Sequence, residues 1–357
     1  MVCTVNQRVE GGSALSTPAQ LGYRMPAEWE PHAGTWLTWP RREGISFQDI
    51  YDRIPPIFAT MIRALSRGEG VFVNVRDSAM AEEARDILKQ HDALNDNVDF
   101  FCHPSDEPWC RDHGPIFVKN KTTRAIIDWD YNAWGKKYSP YKNDNEIPTR
   151  IASARGLQCH TPGMVLEGGS IEVNGQGTLL TTESCLLNPN RNSNLTKEDI
   201  EQRLREYLGV THILWLGNGI VGDDTDGHID DLTRFVNKHT VVTAVEEEES
   251  DENHQPLWEN LQRLQTMQTQ DGKPLNIVNI PMPGPVFFQG ERLPASYANF
   301  YVGNEVVLLP TFHHENDRQA KSILQGCFPT REVSDIDSTD LVWGLGAFHC
   351  LTQQEPR

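Results

Sequence analysis

The chain has 357 residues, of which 38% are hydrophobic and 23% charged, and this composition is typical of a globular protein. Its formal net charge of −18 argues against nucleic acid and anionic membranes as partners, because both attract Lys and Arg. The charge is compatible with a cationic small-molecule substrate, although solubility alone explains it as well. No run of apolar residues approaches the length that spans a bilayer.

The N-terminal segment carries no apolar stretch behind basic residues, so it is not a secretory signal. We expect residues 1–22 to form a polar, flexible leader and residues 23–357 to form a single domain, with the cytoplasm as the default location. The seven cysteines are scattered and include no Cys-x-x-Cys pair. They therefore predict reduced thiols rather than a disulfide framework or a zinc knuckle.

The first predicted unit begins with a short apolar strand at residues 35–39. A helix over residues 47–66 follows, because apolar side chains recur there at helical spacing. A strand at 71–75, a helix at 81–90 and a strand at 98–102 complete the unit. Alternating strands and helices of this kind predict an α/β fold.

The same order recurs along the rest of the chain. In the second unit, the closing strand is predicted to start at Val165. In the third, Thr196 predicts a helix N-cap and Gly209 predicts the stop after the last turn. The five predicted units begin near Trp36, Ile126, Leu179, Val241 and Val306. This near-regular recurrence favours an array of similar units over one continuous sheet, with an ordinary α/β domain as the alternative.

Four polar, glycine-containing stretches lie next to predicted strands, at residues 109–115, 166–170, 222–231 and 344–354. In a ring of similar units, such loops converge on one centre, and convergent polar groups are the usual pattern of an active site. The last stretch places Cys350 behind two glycines, where a thiol can meet a substrate. The alternative is that Cys350 is a small core residue, as most free cysteines are.

These stretches together offer a thiol, a histidine and several carboxylates, and a Cys–His combination favours a covalent thiol intermediate. Surplus carboxylates would repel the oxyanion of an amidase, but they satisfy the N–H groups of a planar guanidinium cation. Taken singly, each residue has a structural alternative. Asp112 could cap a helix, Glu167 could pair with a buried Arg, and His228 could be a core histidine.

The Asp-rich stretch at 222–231 is the best candidate for a metal site. It lacks the Asp-x-Asp-x-Asp-Gly register with a later Glu that an EF-hand needs. The His313–His314 pair fits no zinc pattern such as His-Glu-x-x-His. We therefore expect no metal and no other cofactor.

The chain resembles the agmatine deiminase family of the guanidino-group-modifying (pentein) superfamily, and the resemblance covers nearly its whole length. The strings that carry the resemblance are RMPAEW at 24–29, WCRD at 109–112, YNAWG at 131–135, EGGSIE at 167–172, DGHID at 226–230, PASYANFY at 294–301 and HCLTQQ at 349–354. The resemblance implies a five-bladed, pseudo-symmetric α/β propeller of ββαβ units. It also implies a homo-oligomer, which is usual for the family.

Residue roles follow from the resemblance at the matching positions. Cys350 would be the nucleophile, and His228 would be the general acid and base. Asp112 and Asp230 would grip the guanidinium nitrogens, and Glu167 would orient the site near His228. Trp109 would wall the substrate.

The implied reaction is hydrolysis of agmatine to N-carbamoylputrescine and ammonia through a covalent thiouronium intermediate. Arginine or peptidyl-arginine is the alternative substrate, although free arginine would require a cation for its carboxylate. A silent, propeller-like binding protein is the third interpretation.

Two positions depart from the family's pattern. The first acidic motif often reads Arg-Asp-Thr-Gly-Pro, and His113 stands here in place of the Thr. The approach to the cysteine often reads Gly-Gly-x-x-His-Cys, and Leu345 here separates Gly344 from Gly346. These departures leave the implied deiminase chemistry intact but weaken the choice of substrate.

Overall fold

Residues 16–357 are described by the computed structural model. Residues 1–15, which make up most of the predicted leader, lie outside this described part. Residues 18–22 form turns, and the amide of Ala19 donates a hydrogen bond to the carbonyl of Glu206. In the described part of the chain, no helix is both long and apolar enough to cross a membrane.

The strands, in chain order, are His32–Thr38 (β1), Gly70–Val75 (β2), Val98–Cys102 (β3), Ile116–Lys119 (β4), Arg124–Ile127 (β5), Gln158–His160 (β6), Ile171–Val173 (β7), Thr178–Thr182 (β8), His212–Leu216 (β9), Thr233–Asn237 (β10), Thr240–Val245 (β11), Asn276–Pro281 (β12), Phe287–Phe288 (β13), Glu291–Arg292 (β14), Tyr301–Val302 (β15), Val306–Thr311 (β16), Glu332–Asp337 (β17) and Thr352–Pro356 (β18).

The longer helices are Ile54–Leu65, Ser78–Gln90, Ile147–Arg155, Lys197–Leu208, His254–Thr266 and Asp317–Cys327. The one-turn helices are Cys110–His113, Ala133–Lys136, Lys142–Asn145, Glu183–Leu186, Pro189–Asn192 and Phe348–Leu351. Short 3₁₀ turns are formed by Tyr51–Arg53, Gly168–Ser170, Ile229–Asp231 and Leu341–Gly344.

Five small sheets share one pattern, in which a central strand pairs with an antiparallel strand on one side and a parallel strand on the other. A crossover helix joins each parallel pair, as parallel strands require. The central strands β8 and β16 are buried almost throughout, because helices cover them. Each of the five predicted unit starts lies in a central strand (β1, β5, β8, β11 and β16), so the array of similar units is confirmed.

The sheets depart from the prediction in three ways. The antiparallel strand of each sheet follows a loop and was not predicted, and β18 from the C-terminus supplies this strand to the sheet of β1. The first sheet has a fourth strand, β3. The strand predicted at Val165 was wrong, since Val165 forms only an isolated bridge with Asp130. The paired strand β6 lies earlier, before the turn at Pro162 and Gly163.

Local signals placed both ends of one helix and misplaced the start of another. Thr196 accepts from the amide of Asp199 and donates its own amide to the Asp199 carboxylate, which is the expected capping box. Gly209 ends this helix with a φ of +67°, as predicted. The helix predicted over 47–66 begins later, at Ile54, because Pro55 and Pro56 occupy its first turn.

Candidate active site

The four polar stretches occupy equivalent positions in four of the five units. Each forms a single helical turn just before the antiparallel strand of its sheet. These turns are Cys110–His113 before β4, Gly168–Ser170 before β7, Ile229–Asp231 before β10 and Phe348–Leu351 before β18. Since equivalent ends of similar units face the same place, the side chains on these turns meet, although they are distant in sequence.

His228 lies at the centre of the side chains that meet there. Its Nδ1 is 3.8 Å from Asp112 Oδ1 and 4.0 Å from Asp230 Oδ1. Its Nε2 is 4.0 Å from Glu167 Oε2. Cys350 Sγ is 3.6 Å from Asp230 Oδ2. The structure therefore brings together all five residues that the sequence predicted as catalytic.

A cavity opens from this cluster towards the surface. Its lining consists of Ile45, Ser46, Trp109, Asp112, Trp134, Tyr138, Asp224, Thr225, Trp343, Gly344, Leu345 and Cys350. Trp109, predicted as a wall, is buried, and its indole N–H donates to Ser46 Oγ at 2.9 Å. Aromatic walls around carboxylates suit a cation with an apolar body.

Asp112 is held by two donors. Trp134 Nε1 donates to Oδ2 at 2.9 Å, and the amide of Gly169 donates to Oδ1 at 3.0 Å. Burial raises the pKa of Asp112 to about 6; His228 opposes the rise, and the carboxylates of Asp230 and Glu167 add to it. A Cβ on Gly169 would lie 2.6 Å from His228 Nδ1 and 2.8 Å from Asp112 Oδ1, so the site requires glycine there.

Asp230 is tied to a residue whose role the sequence did not indicate. His349 Nδ1 lies 2.6 Å from Asp230 Oδ2, while His349 Nε2 lies 2.9 Å from Glu28 Oε2. Burial opposes ionisation of Asp230, but His349, His228 and Arg234 together hold its pKa below the usual value. Asp230 Oδ1 has no hydrogen-bond partner among the described residues and is free to receive a substrate N–H.

His228 is fully buried, and neither of its ring nitrogens has a hydrogen-bond partner in the described part of the chain. Burial favours the neutral ring, but Asp112, the Cys185 thiol and Asp230 favour the imidazolium and leave the pKa of His228 well above its usual value. Behind the ring, Arg191 Nε donates to Glu167 Oε1 at 2.7 Å. Glu167 Oε2 is left without a partner among the described residues and faces His228.

The fifth unit also contributes to the cluster, through Asn299, which lies just before β15. Asn299 Nδ2 lies 3.1 Å from Cys350 Sγ and 2.9 Å from Asp231 Oδ1. Burial and then Asp230, Asp231 and Asp112 raise the pKa of the Cys350 thiol well above its usual value, and only the Asn299 contact opposes them. The sequence signal that could have identified Asn299 is its place in the PASYANFY string at 294–301.

Both departures from the family's pattern are accommodated locally. His113 is buried, and its Nε2 lies 3.1 Å from the carbonyl of Glu107. Leu345 adopts a φ of +71°, a conformation that glycine normally supplies. Its backbone therefore makes the same kind of turn ahead of Cys350 that a glycine would make.

One group of side chains has the donors of a metal site. Ligand atoms of Glu167, Cys185 and His228 all lie within 4.8 Å of one another, and all three residues are buried. The Asp-rich stretch at 222–231 is hydrogen-bonded internally instead, since Asp223 accepts from the amides of Thr225 and His228.

The sequence profile of the Porphyromonas-type peptidyl-arginine deiminase family matches residues 24–356. The chain belongs to this family.

Relatives of this deiminase chain include an agmatine deiminase of Pseudomonas aeruginosa, which is 36% identical over 96% of this chain and 97% of its own length. The structure of the Enterococcus faecalis agmatine deiminase matches 99% of this chain and all of its own, with a TM-score of 0.90 and 32% identity. A Cys-to-Ser variant of C. jejuni agmatine deiminase, determined with substrate bound, matches 94% of this chain and 96% of its own, with a TM-score of 0.86 and 29% identity.

Proposed function

We propose that this deiminase hydrolyses the guanidino group of agmatine to give N-carbamoylputrescine and ammonia. The observation that carries the proposal is the meeting of Cys350, His228 and two carboxylates at the buried end of one aromatic-walled cavity. The agmatine deiminases among its relatives support the choice of substrate. A silent binding protein would have no need of an intact thiol beside a buried histidine.

Binding of the guanidinium falls to Asp112 and Asp230. Guanidinium is planar and has several N–H donors, which two carboxylates on opposite sides can accept. The unpartnered Oδ1 of Asp230 and the hydrogen-bonded carboxylate of Asp112 both lie within 4.0 Å of His228. Trp109 walls the cavity and offers a π-face to the cation.

The first chemical step is attack by the Cys350 thiolate on the guanidinium carbon. This forms a C–S bond and a tetrahedral adduct. Protonated His228 gives its Nδ1 proton to the departing nitrogen, the C–N bond breaks, and ammonia leaves behind a thiouronium on Cys350. Glu167 Oε2 faces Nε2 on the other side of the ring and keeps Nδ1 directed at the site.

In the second step, His228 acts as a general base instead of a general acid. Neutral His228 takes a proton from water, and the hydroxide attacks the thiouronium carbon. The proton taken from water restores the imidazolium of His228. The C–S bond then breaks to leave the thiolate and the ureido product, and the remaining hydroxyl proton leaves with the ammonia as ammonium. One water is consumed and one ammonia released in each cycle, so no metal is required for the balance.

Substrate helps to ionise the nucleophile. The carboxylates around Cys350 raise the pKa of its thiol in the free enzyme, and a bound guanidinium cation neutralises them. We therefore expect Cys350 to react slowly with iodoacetamide in the free enzyme at neutral pH and faster when a non-hydrolysable guanidinium is bound. A thiol that is fully ionised in the free enzyme would contradict this.

The cavity favours agmatine over arginine. Its described lining contains the carboxylates of Asp112 and Asp224 and no Lys or Arg that could hold an α-carboxylate. The nearby Lys137 is engaged by Asp224 and Asp226, with Nζ–Oδ1 distances of 3.2 Å and 2.9 Å. We assign Asp224, hydrogen-bonded by the Tyr138 hydroxyl at 2.5 Å, to the distal ammonium of agmatine.

Several wider features belong to the same proposal. The five similar sheets, with β18 joined to the sheet of β1, support a closed five-bladed propeller formed by a single domain over residues 23–357. The six cysteines in the described part of the chain are free thiols, which supports a reducing, cytoplasmic location. A homo-oligomer is part of the same expectation.

The deciding experiment measures ammonia release from agmatine, arginine and a blocked arginine peptide, each with a chelator present. Turnover of agmatine alone supports the proposal, whereas turnover of arginine or the peptide keeps the chemistry and changes the substrate. Cys350→Ala is expected to abolish release, and Cys327→Ala, on a helix distant from the cluster, serves as the control. Silence of the parent enzyme on all three substrates would favour a binding protein.

A further inference from the structure

Glu167 and Cys185 lie behind His228, on the side of the ring that faces away from Asp112 and Asp230. Together with His228 they form a second set of side chains, whose ligand atoms all lie within 4.8 Å of one another. The proposed reaction makes no use of Cys185. All three side chains are fully buried, as an enclosed site requires.

Two of the three groups are incompletely satisfied. Glu167 Oε2 and His228 Nε2 are buried without hydrogen-bond partners among the described residues, and they face each other at 4.0 Å. A buried polar atom without a partner carries a desolvation cost that a ligand can relieve. Two ligands bound at about 2.0 Å to tetrahedral zinc lie about 3.3 Å apart, so the 4.0 Å separation of this pair must shorten by about 0.7 Å.

We propose that Glu167, Cys185 and His228 form an inhibitory site for a thiophilic divalent metal ion such as Zn²⁺. One carboxylate oxygen, one sulfur and one imidazole nitrogen are the ligands that zinc prefers, and a water completes four-coordination. Metal entry displaces one proton from the Cys185 thiol and one from the His228 imidazolium. The site therefore exchanges two protons for one divalent ion, and its net charge beside Arg191 does not change.

Occupancy would stop the reaction without blocking the nucleophile. A ring that binds metal through Nε2 keeps its remaining proton on Nδ1 and cannot accept another, so His228 loses its acid–base cycle. Cys350, Asp112 and Asp230 lie on the other side of the ring and stay free to bind guanidinium. Inhibition should therefore lower kcat more than it raises KM. This consequence rests on the proposed function, whereas metal binding itself does not.

The test uses Co²⁺ as an optical probe on the full chain, because a cobalt–thiolate bond absorbs in the near ultraviolet. We expect one such band per chain, lost in both Cys185→Ala and Cys185→Ser, because neither variant keeps a sulfur ligand at this position. The band should persist in Cys350→Ala and in Cys110→Ala, a matched change at another fully buried cysteine. The band should also grow as pH rises, since two protons are released.

Activity supplies the second readout. Zn²⁺ should inhibit ammonia release by the parent enzyme, reversibly on adding chelator, and the inhibition constant should rise at least about 10-fold in Cys185→Ala and Cys185→Ser. Each variant is compared with its own metal-free activity. A band that survives in Cys185→Ala, or that disappears in Cys350→Ala, would overturn the proposal. If no guanidine is turned over but the Cys185-dependent band is present, the metal site stands and the proposed function fails.

Discussion

Two clusters of buried charge meet at His349, and they differ in how completely they are hydrogen-bonded. In the structural cluster, Glu28 Oε2 accepts from Arg234 at 2.9 Å and Arg111 at 3.3 Å and lies 2.9 Å from His349 Nε2. Its Oε1 accepts from the amide of Val302 at 2.8 Å. In the reacting cluster, both nitrogens of His228 and one oxygen each of Glu167 and Asp230 lack partners among the described residues.

The same burial has opposite electrostatic outcomes in the two clusters. Burial opposes ionisation of Glu28, but Arg234, His349 and Arg111 overcome it and hold its pKa far below the usual value. For Asp112, burial and neighbouring carboxylates prevail and raise the pKa to about 6. In the Glu28 cluster, ion pairs therefore offset the desolvation cost of burial, whereas in the His228 cluster several polar atoms keep no partner among the described residues.

The largest expected effect comes from breaking the satisfied cluster. Glu28→Gln removes the charge that pairs with Arg234, Arg111 and His349, and we expect a loss of about 3–5 kcal/mol in the free energy of unfolding, measured by urea denaturation. Glu30→Gln is the matched control, since its pairing with Arg24 is partly exposed and contributes at most about 1 kcal/mol. Equal effects would mean that the buried network adds nothing special.

Asp112→Asn tests the incompletely hydrogen-bonded cluster around His228, where we expect a loss of activity without a loss of stability. The amide cannot accept a guanidinium as a carboxylate does, so kcat/KM for agmatine should fall about 10³-fold. Stability should be unchanged or higher, because the folded protein no longer buries a carboxylate whose pKa is raised. A marked fall in the urea midpoint would show that Asp112 is a structural residue.

The pH dependence separates activity from stability at the same residue. Because the pKa of Asp112 is raised from 3.8 to about 6, the folded state binds the proton more tightly, and its charged form costs stability above pH 6. As pH falls from 7 to 4, wild type should gain about 2.4 kcal/mol relative to Asp112→Asn, because the unfolded carboxyl group is itself partly protonated at pH 4. Over the same range kcat/KM of wild type should fall. A stability difference that does not change with pH would contradict the raised pKa.

Substitutions at two adjacent glycines separate a steric effect on activity from a steric effect on stability. In Gly169→Ala, the new Cβ would lie 2.6 Å from His228 Nδ1 and 2.8 Å from Asp112 Oδ1, so kcat/KM should fall about 10²-fold. In Gly168→Ala, it would lie 2.2 Å from the carbonyl of Arg111, and the main effect should be on the urea midpoint. If Gly169→Ala mainly lowered the urea midpoint and Gly168→Ala mainly lowered kcat/KM, the assignment of Gly169 to the site would be wrong.

The smallest effect is expected at the mouth of the cavity. Asp224→Asn should raise KM for agmatine about 10-fold, because the distal ammonium loses a charged partner. KM for an alkylguanidine of similar length without the distal amine should not change. Tyr138→Phe, which removes only the hydroxyl that donates to Asp224, is the milder companion change. Equal losses on both substrates would rule out a role for Asp224 in reading the amine.

The sequence determined the repeated units, because apolar periodicity and caps are properties of neighbouring residues. The sequence predicted the central strands and the capped helix after Thr196 in this way. It also predicted the four stretches that supply Cys350, His228 and the carboxylates. The sequence did not predict the antiparallel strands, since a strand as short as Tyr301–Val302 has too few residues to show a hydrophobic period. Its place depends on pairing with Val307 and Leu308.

Only the tertiary structure decided which polar residues meet and which stay unpaired. Glu28, Asn299 and His349 lie in strings that the sequence singled out. His349 nevertheless contacts Asn299 across 50 positions of the chain and Glu28 across 321 positions. Hydrogen bonds over such separations leave no local pattern, because they depend on how similar units are arranged around a common centre. The sequence therefore predicts the chemistry of the site, while the fold determines its hydrogen bonding, its pKa values and which carboxylate oxygens lack partners among the described residues.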